Sequence, residues 1–126
     1  MHKVIIFLGT SLLFIGVIRA AEVEMDGDLM RTIEDTNKSL ASNIALKDEK
    51  GSTTDAKEME KMFVDVEAFF VNKGNADDAV QLSKKIRELS ADIEKSVAAK
   101  DFESATNSAT TLSRTCKTCH NFYKKS

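Results

Sequence analysis

Residues 79–97 read AVQLSKKIRELSADIEKSV, and this stretch shows most clearly how the chain folds. Its apolar residues recur at intervals of three and four: Ala79, Leu82, Ile86, Leu89, Ile93 and Val97. Such spacing places side chains on one face of an α-helix, whereas a half-buried strand alternates apolar and polar residues. The stretch therefore predicts an amphipathic helix that packs against other helices.

Three other segments carry the same spacing. We expect the first helix from about residue 28 to residue 47, the second from a cap within residues 52–54 to about residue 73, and the fourth after a cap at Asp101. Gly74 is expected to end the second helix and Asn75 to begin the third. The inward positions are Met30, Ile33, Asn37, Leu40 and Ile44 in the first helix, Met59, Met62, Phe63, Val66, Phe69 and Phe70 in the second, and Phe102, Ala105, Ala109, Leu112, Cys116, Cys119 or His120, and Tyr123 in the fourth.

No strand is predicted in the chain. The sequence contains no proline, and no segment alternates polar and apolar residues over a useful length. Four amphipathic helices with short links predict an all-α fold, an up-down-up-down antiparallel four-helix bundle. A length of 126 residues allows one such domain.

The N-terminus has the layout of a secretory signal peptide. Lys3 supplies a positive start, residues 4–18 form an apolar run, and the small residues Ala20 and Ala21 follow. The run is short for a membrane span. We expect residues 1–20 to be removed and residues 21–126 to form the bundle of an exported protein. The alternative is an uncleaved N-terminal anchor, the one case in which the protein would be attached to a membrane.

The charge balance argues against a nucleic-acid binder. The chain has 18 basic and 20 acidic residues, for a net charge of −2. Removing residues 1–20 takes away two basic residues and makes the net charge about −4. Proteins that bind nucleic acid usually carry a basic face.

Both cysteines lie close to the C-terminus, in the sequence C-x-x-C-H formed by Cys116, Cys119 and His120. A disulfide around two residues would stabilise little. A zinc site would lack a fourth ligand of the usual kind, since His120 is the one histidine left after His2 is removed. A redox dithiol usually begins a helix in a domain of strands and helices, and no strand is predicted here.

Covalent haem attachment is the chemistry that the motif fits best. On the fourth helix the three residues occupy positions i, i+3 and i+4 of the inward face. Two thiols at this spacing can add to the two vinyl groups of one haem, and the next residue can place its imidazole on the iron. The alternative is a surface C-x-x-C beside an incidental histidine.

With this motif at the end of a predicted four-helix bundle, the chain resembles the class II cytochromes c, the cytochrome c′ and c-556 family. The resemblance covers the whole of residues 21–126. It extends to the aromatic and basic residues after the histidine, Tyr123 and Lys124, although the family more often has arginine at the second position. The link between the second and third helices is also much shorter than is usual in cytochromes c′. This favours the compact relatives and leaves monomer and dimer both open.

Bundle topology also indicates a second iron ligand. In an up-down-up-down bundle the end of the fourth helix lies beside the start of the first, so residues near Met30, Phe69, Phe70 and Leu82 should surround the haem. Met59 and Met62 should lie toward the opposite end. In the c-556 relatives a methionine in this stretch binds the iron, which implies that role for Met30. Met25 is the nearest competitor, and the alternative is a packed Met30 beside an open iron.

The resemblance implies a periplasmic carrier of single electrons rather than an enzyme. It would hold one haem c through Cys116 and Cys119, with iron bound by His120 and Met30, and exchange electrons with redox partner proteins. Lys117, Lys124 and Lys125 could bind haem propionates, steer a partner, or complement the helix dipole. Two alternatives stay open: a five-coordinate protein that binds NO or CO, and a haem-free helical adaptor or metal-binding module.

Overall fold

The computed structural model describes residue 25 and residues 27–123, without the side chain of Tyr123. Within this part there are four helices and no strand: α1 Gly27–Ala45, α2 Glu49–Lys73, α3 Asp77–Ala98 and α4 Phe102–Tyr123. The predicted all-α four-helix bundle is confirmed. The signal segment 1–20 and its cleavage site lie outside the described residues, as do Lys124 and Lys125.

Three-residue links force the helices to run antiparallel. Each helix packs against the next one in the chain, and α1 closes the bundle against α4. Within the described residues the backbones of the diagonal pairs, α1 with α3 and α2 with α4, stay more than 8 Å apart between Cα atoms. The start of α1 therefore lies at the same end of the bundle as the end of α4. None of the described helices is long and apolar enough to cross a membrane.

The inward face of α3 differs from the predicted one at two positions. Ser83 and Ser90 are fully buried, whereas Leu82 and Leu89 are half-buried at the flank. The serine hydroxyls donate to the carbonyl oxygens of Ala79 at 2.7 Å and Ile86 at 2.8 Å, so neither polar group is left unsatisfied. Among the described helices the most extensive contact is that between α2 and α3. The sequence-based prediction chose the leucines because they are more hydrophobic than the neighbouring serines.

The start of α2 was also predicted wrongly. The helix begins at Glu49, and Asp48 is its cap, with the carboxylate accepting a 3.0 Å hydrogen bond from the Gly51 amide. Ser52, within the expected cap, is instead fully buried in the first turns of α2. Gly51 lies inside α2 and does not break it. Only glycine fits this position, since a Cβ there would lie 2.6 Å from Asp48 Oδ2 and 2.8 Å from Asn43 Nδ2.

Of the two caps predicted for α3 and α4, the first is wrong and the second is confirmed. Asn75 does not begin α3; it adopts a left-handed φ of 53°, and the helix starts at Asp77 without a side-chain cap. Asp77 and Asp78 in the first turn complement the helix dipole instead. Asp101 caps α4 as predicted, accepting from the Ser104 amide at 3.0 Å and the Ser104 hydroxyl at 2.7 Å. These bonds hold the pKa of Asp101 below its usual value.

Two carboxyl groups meet where α2 packs against α3. Burial raises the pKa of Glu94, and a hydrogen bond and charge repulsion from Glu60 raise it further. An acid whose pKa is raised by folding contributes stability below its unfolded pKa and loses it as the pH rises through the folded pKa. The pair therefore destabilises the bundle at neutral pH.

The cap assignment predicts opposite outcomes for two alanine substitutions. Asp48→Ala should lower the free energy of unfolding by about 1 kcal/mol, the usual cost of losing a helix cap. Ser52→Ala should be neutral or stabilising, because the buried Ser52 hydroxyl has no hydrogen-bond partner among the described residues. Urea unfolding of the two variants measures both. A larger loss for Ser52→Ala than for Asp48→Ala would restore the cap expected from the sequence.

The carboxyl pair predicts a pH-dependent gain for Glu94→Gln. The variant should unfold at higher urea than the wild type at pH 7 and lose this advantage below about pH 4, where Glu94 of the wild type is protonated. Glu88→Gln, at an exposed position of the same helix, is the control and should follow the wild type. If Glu94→Gln raised the free energy of unfolding equally at both pH values, protonation of Glu94 would not be linked to folding.

Candidate functional site

A cavity of about 730 Å³ opens at the end of the bundle where α1 begins and α4 ends. All four helices contribute to its lining, and most of that lining is apolar. Its volume lies within the roughly 300–1,000 Å³ of pockets that bind cofactors and small molecules. The cavity is therefore a candidate binding site for a cofactor or a small molecule.

One wall of the cavity belongs to α4 and carries the whole C-x-x-C-H motif. Cys116, Cys119 and His120 all line the cavity, together with Lys117 and Ser113. Both thiols are half-buried and free, whereas the imidazole is exposed at the edge. The buried residues of the helix, Ala105, Ala109, Leu112 and Thr115, lead along the same face into the motif.

α1 and residue 25, which precedes it, contribute two methionines to the cavity. Met30, in the first turn of the helix, and Met25, just before it, both line the cavity and are half-buried. Met59 and Met62 do not line it; Met59 is fully buried in the core. The structure thus brings Met30 to the cavity that Cys116, Cys119 and His120 line, and it leaves Met25 as a second thioether there.

The apolar wall comes from α2, with additional residues from α1 and α3. Phe63, Phe69 and Phe70 line the cavity, and the rings of Phe69 and Phe70 meet edge to face with centroids 5.2 Å apart. Leu82, which was expected here, does not line it; Ile86 represents α3 instead, because the inward face of α3 is rotated away from Leu82. Phe63 and Ile86 were identified only as apolar positions, since the sequence does not tell how deep a cavity extends.

The mouth of the cavity is mostly cationic. Arg31 and Lys38 of α1, Lys73 of α2 and Lys117 of α4 line it, with Glu34 as the one carboxylate among the described lining residues. Glu34 pairs with Lys38 at 3.0 Å and raises the pKa of that lysine, chiefly through the hydrogen bond. Sequence reasoning found only Lys117. The others could have been noticed, because Arg31 and Lys38 are seven residues apart and flank the stripe of Met30 and Asn37.

The two thiols lie in surroundings that favour the neutral form. Burial raises the pKa of Cys116 to about 11, and the neighbouring Cys119 adds to the shift. Burial also raises the pKa of Cys119. Reactive dithiols in oxidoreductases have lowered pKa values, usually through a helix N-terminus or a nearby cation. This pair lies toward the C-terminal end of its helix and has the opposite shift.

A polar pair crosses the cavity between α1 and α4. Asn37 Nδ2 donates to Ser113 Oγ at 3.2 Å, and Ser113 Oγ lies 3.3 Å from Asn37 Oδ1, to which it can donate in turn. Both side chains are half-buried and line the cavity. The sequence placed Asn37 on the inward face of the first helix, and the structure adds its partner, Ser113.

No protein-family model, no curated protein and no solved structure matches this chain. Among the described residues, no group of three or more His, Cys, Asp and Glu side chains is arranged to hold a metal ion. The groups in the cavity that could bind a metal or a cofactor are two thiols, one imidazole and two thioethers, and they surround an apolar interior.

Proposed function

We propose that this protein is a mono-haem c-type cytochrome that transfers single electrons. Haem c would be attached through Cys116 and Cys119, and its iron would be bound by His120 and Met30. One observation supports the proposal: a single cavity is lined by Cys116, Cys119 and His120 of α4 and by Met30 of α1.

The cavity fits haem in size, polarity and donors. Its volume of about 730 Å³ suits a large, flat ligand, and aromatic rings from α2 give it an apolar side. Thiols at a spacing of three, followed by an imidazole, are what covalent attachment and axial ligation require. The cationic mouth, with Arg31, Lys73 and Lys117, suits the carboxylates of the propionates or an anionic redox partner.

Bound haem supplies a one-electron centre, whose potential is raised when histidine and methionine are its axial ligands. The residues of the chain have separate tasks around it. The cysteine sulfurs would fix the group to α4, and His120 would provide the nitrogen ligand next to that attachment. Phe63, Phe69 and Phe70 keep water from one side of the cavity. Because both axial positions would be filled, we propose an electron carrier rather than an enzyme.

Met30 is a better ligand than Met25 because it is held more firmly. Met30 lies in the first turn of α1, three residues before the buried Ile33. Met25 precedes the helix, so its position depends on backbone that no helical hydrogen bond fixes. A ligand on a rigid element is placed more accurately than one on a loop.

The cellular setting belongs to the same proposal. Covalent haem attachment to C-x-x-C-H in an exported chain implies a periplasmic protein that exchanges electrons with soluble or membrane-bound partners. The signal segment at residues 1–20 supports export.

The first prediction is one covalent haem per chain. Protein produced with a cytochrome c assembly system and then denatured should have the mass of the polypeptide plus one haem. Cys116→Ala/Cys119→Ala should lose that added mass, because no other described cysteine could hold the group. A wild-type mass equal to the bare polypeptide would contradict the proposal and favour the haem-free adaptor.

The second prediction separates the electron carrier from a gas-binding protein. Wild-type ferric protein should be low-spin, and Met30→Ala should produce high-spin features, faster carbon monoxide binding and a lower reduction potential, because it removes the thioether. Optical spectra and a redox titration measure these changes. Met59→Ala should lower stability by about 2–5 kcal/mol without changing the spectrum, since Met59 is buried away from the cavity.

Two outcomes would contradict the Met30 assignment. A change of spectrum in Met25→Ala but not in Met30→Ala would transfer the ligand role to Met25. A wild-type protein that is already high-spin would leave the iron with an open position, which is the arrangement of a five-coordinate NO- or CO-binding cytochrome c′-like protein.

A further inference from the structure

The contact between α1 and α4 differs from the other three helix contacts. No three-residue link joins these two helices, and they pack more loosely than any other pair of neighbours. The cavity also separates them at the end where Met30 and His120 lie. Whatever holds α1 against α4 therefore has to be a contact between side chains.

Asn37 and Ser113 provide such a contact. Their side chains lie 3.2 Å apart between nitrogen and hydroxyl and 3.3 Å apart between hydroxyl and amide oxygen. Both are half-buried in a mostly apolar lining, where an amide without a partner would be costly. Neither side chain keeps this arrangement if α1 moves away from α4.

Asn37 is coupled to Met30 through the helix itself. Asn37 lies seven residues after Met30, which is two helical turns, so both side chains lie on the same face of α1. Both line the cavity, and the buried Ile33 lies between them on that face. A bond that fixes Asn37 against α4 consequently fixes the distance of the first turn of α1 from α4.

We propose that the Asn37–Ser113 pair is a latch that holds α1 against α4 and keeps Met30 in place for ligation. Asn37 and Ser113 are positioning residues, since they act through Met30. The inference rests on the proposed function, because it concerns the ligand that Met30 would provide.

The size of the effect follows from the value of one hydrogen bond. A typical intramolecular hydrogen bond changes an equilibrium by roughly two- to tenfold. Breaking the latch should raise the population with Met30 released by that factor, provided that the bond is intact only when α1 is docked. Carbon monoxide binds iron only after Met30 leaves, so its observed rate should rise by the same factor.

The test uses the haem-loaded full chain. Asn37→Leu and Ser113→Ala should each increase the high-spin fraction of the ferric spectrum and speed carbon monoxide binding by roughly two- to tenfold. The double variant should go no further than the single ones, because both remove the same bond. Ser113→Thr retains a hydroxyl and should keep the wild-type spectrum and rate. Ser113→Ala removes one atom from a helix, so it tests the latch even if Asn37→Leu folds poorly.

Asn43→Leu is the matched control. Asn43 lies on the same helix and donates a 2.8 Å hydrogen bond to Asp55 of α2, but it does not line the cavity. The control should lose stability and keep the wild-type spectrum. Equal effects of Asn37→Leu and Asn43→Leu on carbon monoxide binding would overturn the latch, as would no effect of Asn37→Leu on a low-spin protein. A high-spin wild type would overturn the Met30 ligation and the latch together.

Discussion

The three-residue links between consecutive helices constrain everything else in this molecule. A link of that length cannot cross the bundle, so each helix must return beside the previous one. After three reversals the end of α4 lies next to the start of α1, although these segments are far apart in sequence. The cysteines and histidine on one segment and the methionines on the other then line one cavity. The candidate site is thus a consequence of chain reversal rather than of any local motif alone.

The bundle is tight on one side and open on another. α2 and α3 make the most extensive helix contact of the described residues, and the buried hydroxyls of Ser83 and Ser90 in α3 are satisfied by carbonyl oxygens of their own helix. Between α1 and α4 the packing is looser, and the larger side chains at that end surround a cavity instead of filling it. Close packing at α2–α3 also provides a rigid support for Phe63, Phe70 and Ile86, which form part of the apolar lining.

The fold class could be predicted from spacing, because the three-and-four periodicity of apolar residues repeats in every helix. Finer features failed where two neighbouring residues satisfied the same rule. Leu82 and Ser83 both fit a helical face; hydrophobicity favours Leu82, but Ser83 is the one that is buried. Asp48 and Ser52 are both good caps, and the close contact of Gly51 with Asn43 decides for Asp48.

Some residues of the candidate site could likewise be predicted from the sequence, and others could not. Cys116, Cys119 and His120 could be found because their chemistry depends on a local spacing. Met30 could be placed near these residues from the topology, because the short links determine which helix ends lie together. Arg31, Lys38 and Lys73 were missed because a cationic mouth is assembled from separate helices, and none of these residues is unusual in its own segment. Ser113 was missed because its importance depends on Asn37 of another helix.

The site and the stability of the fold cannot be separated in a bundle this small. A ligand that covered the apolar walls of the cavity would remove apolar surface from water, and because it would bind only the folded bundle it would stabilise that bundle by linkage. A domain is held folded by only roughly 5–15 kcal/mol, so such a contribution would matter. A ligand attached to α4 and in contact with α1 would stabilise the contact that the chain itself holds most weakly. The ligand and the Asn37–Ser113 pair would therefore stabilise the same pair of helices, the ligand by covering apolar walls and the polar pair by fixing their distance.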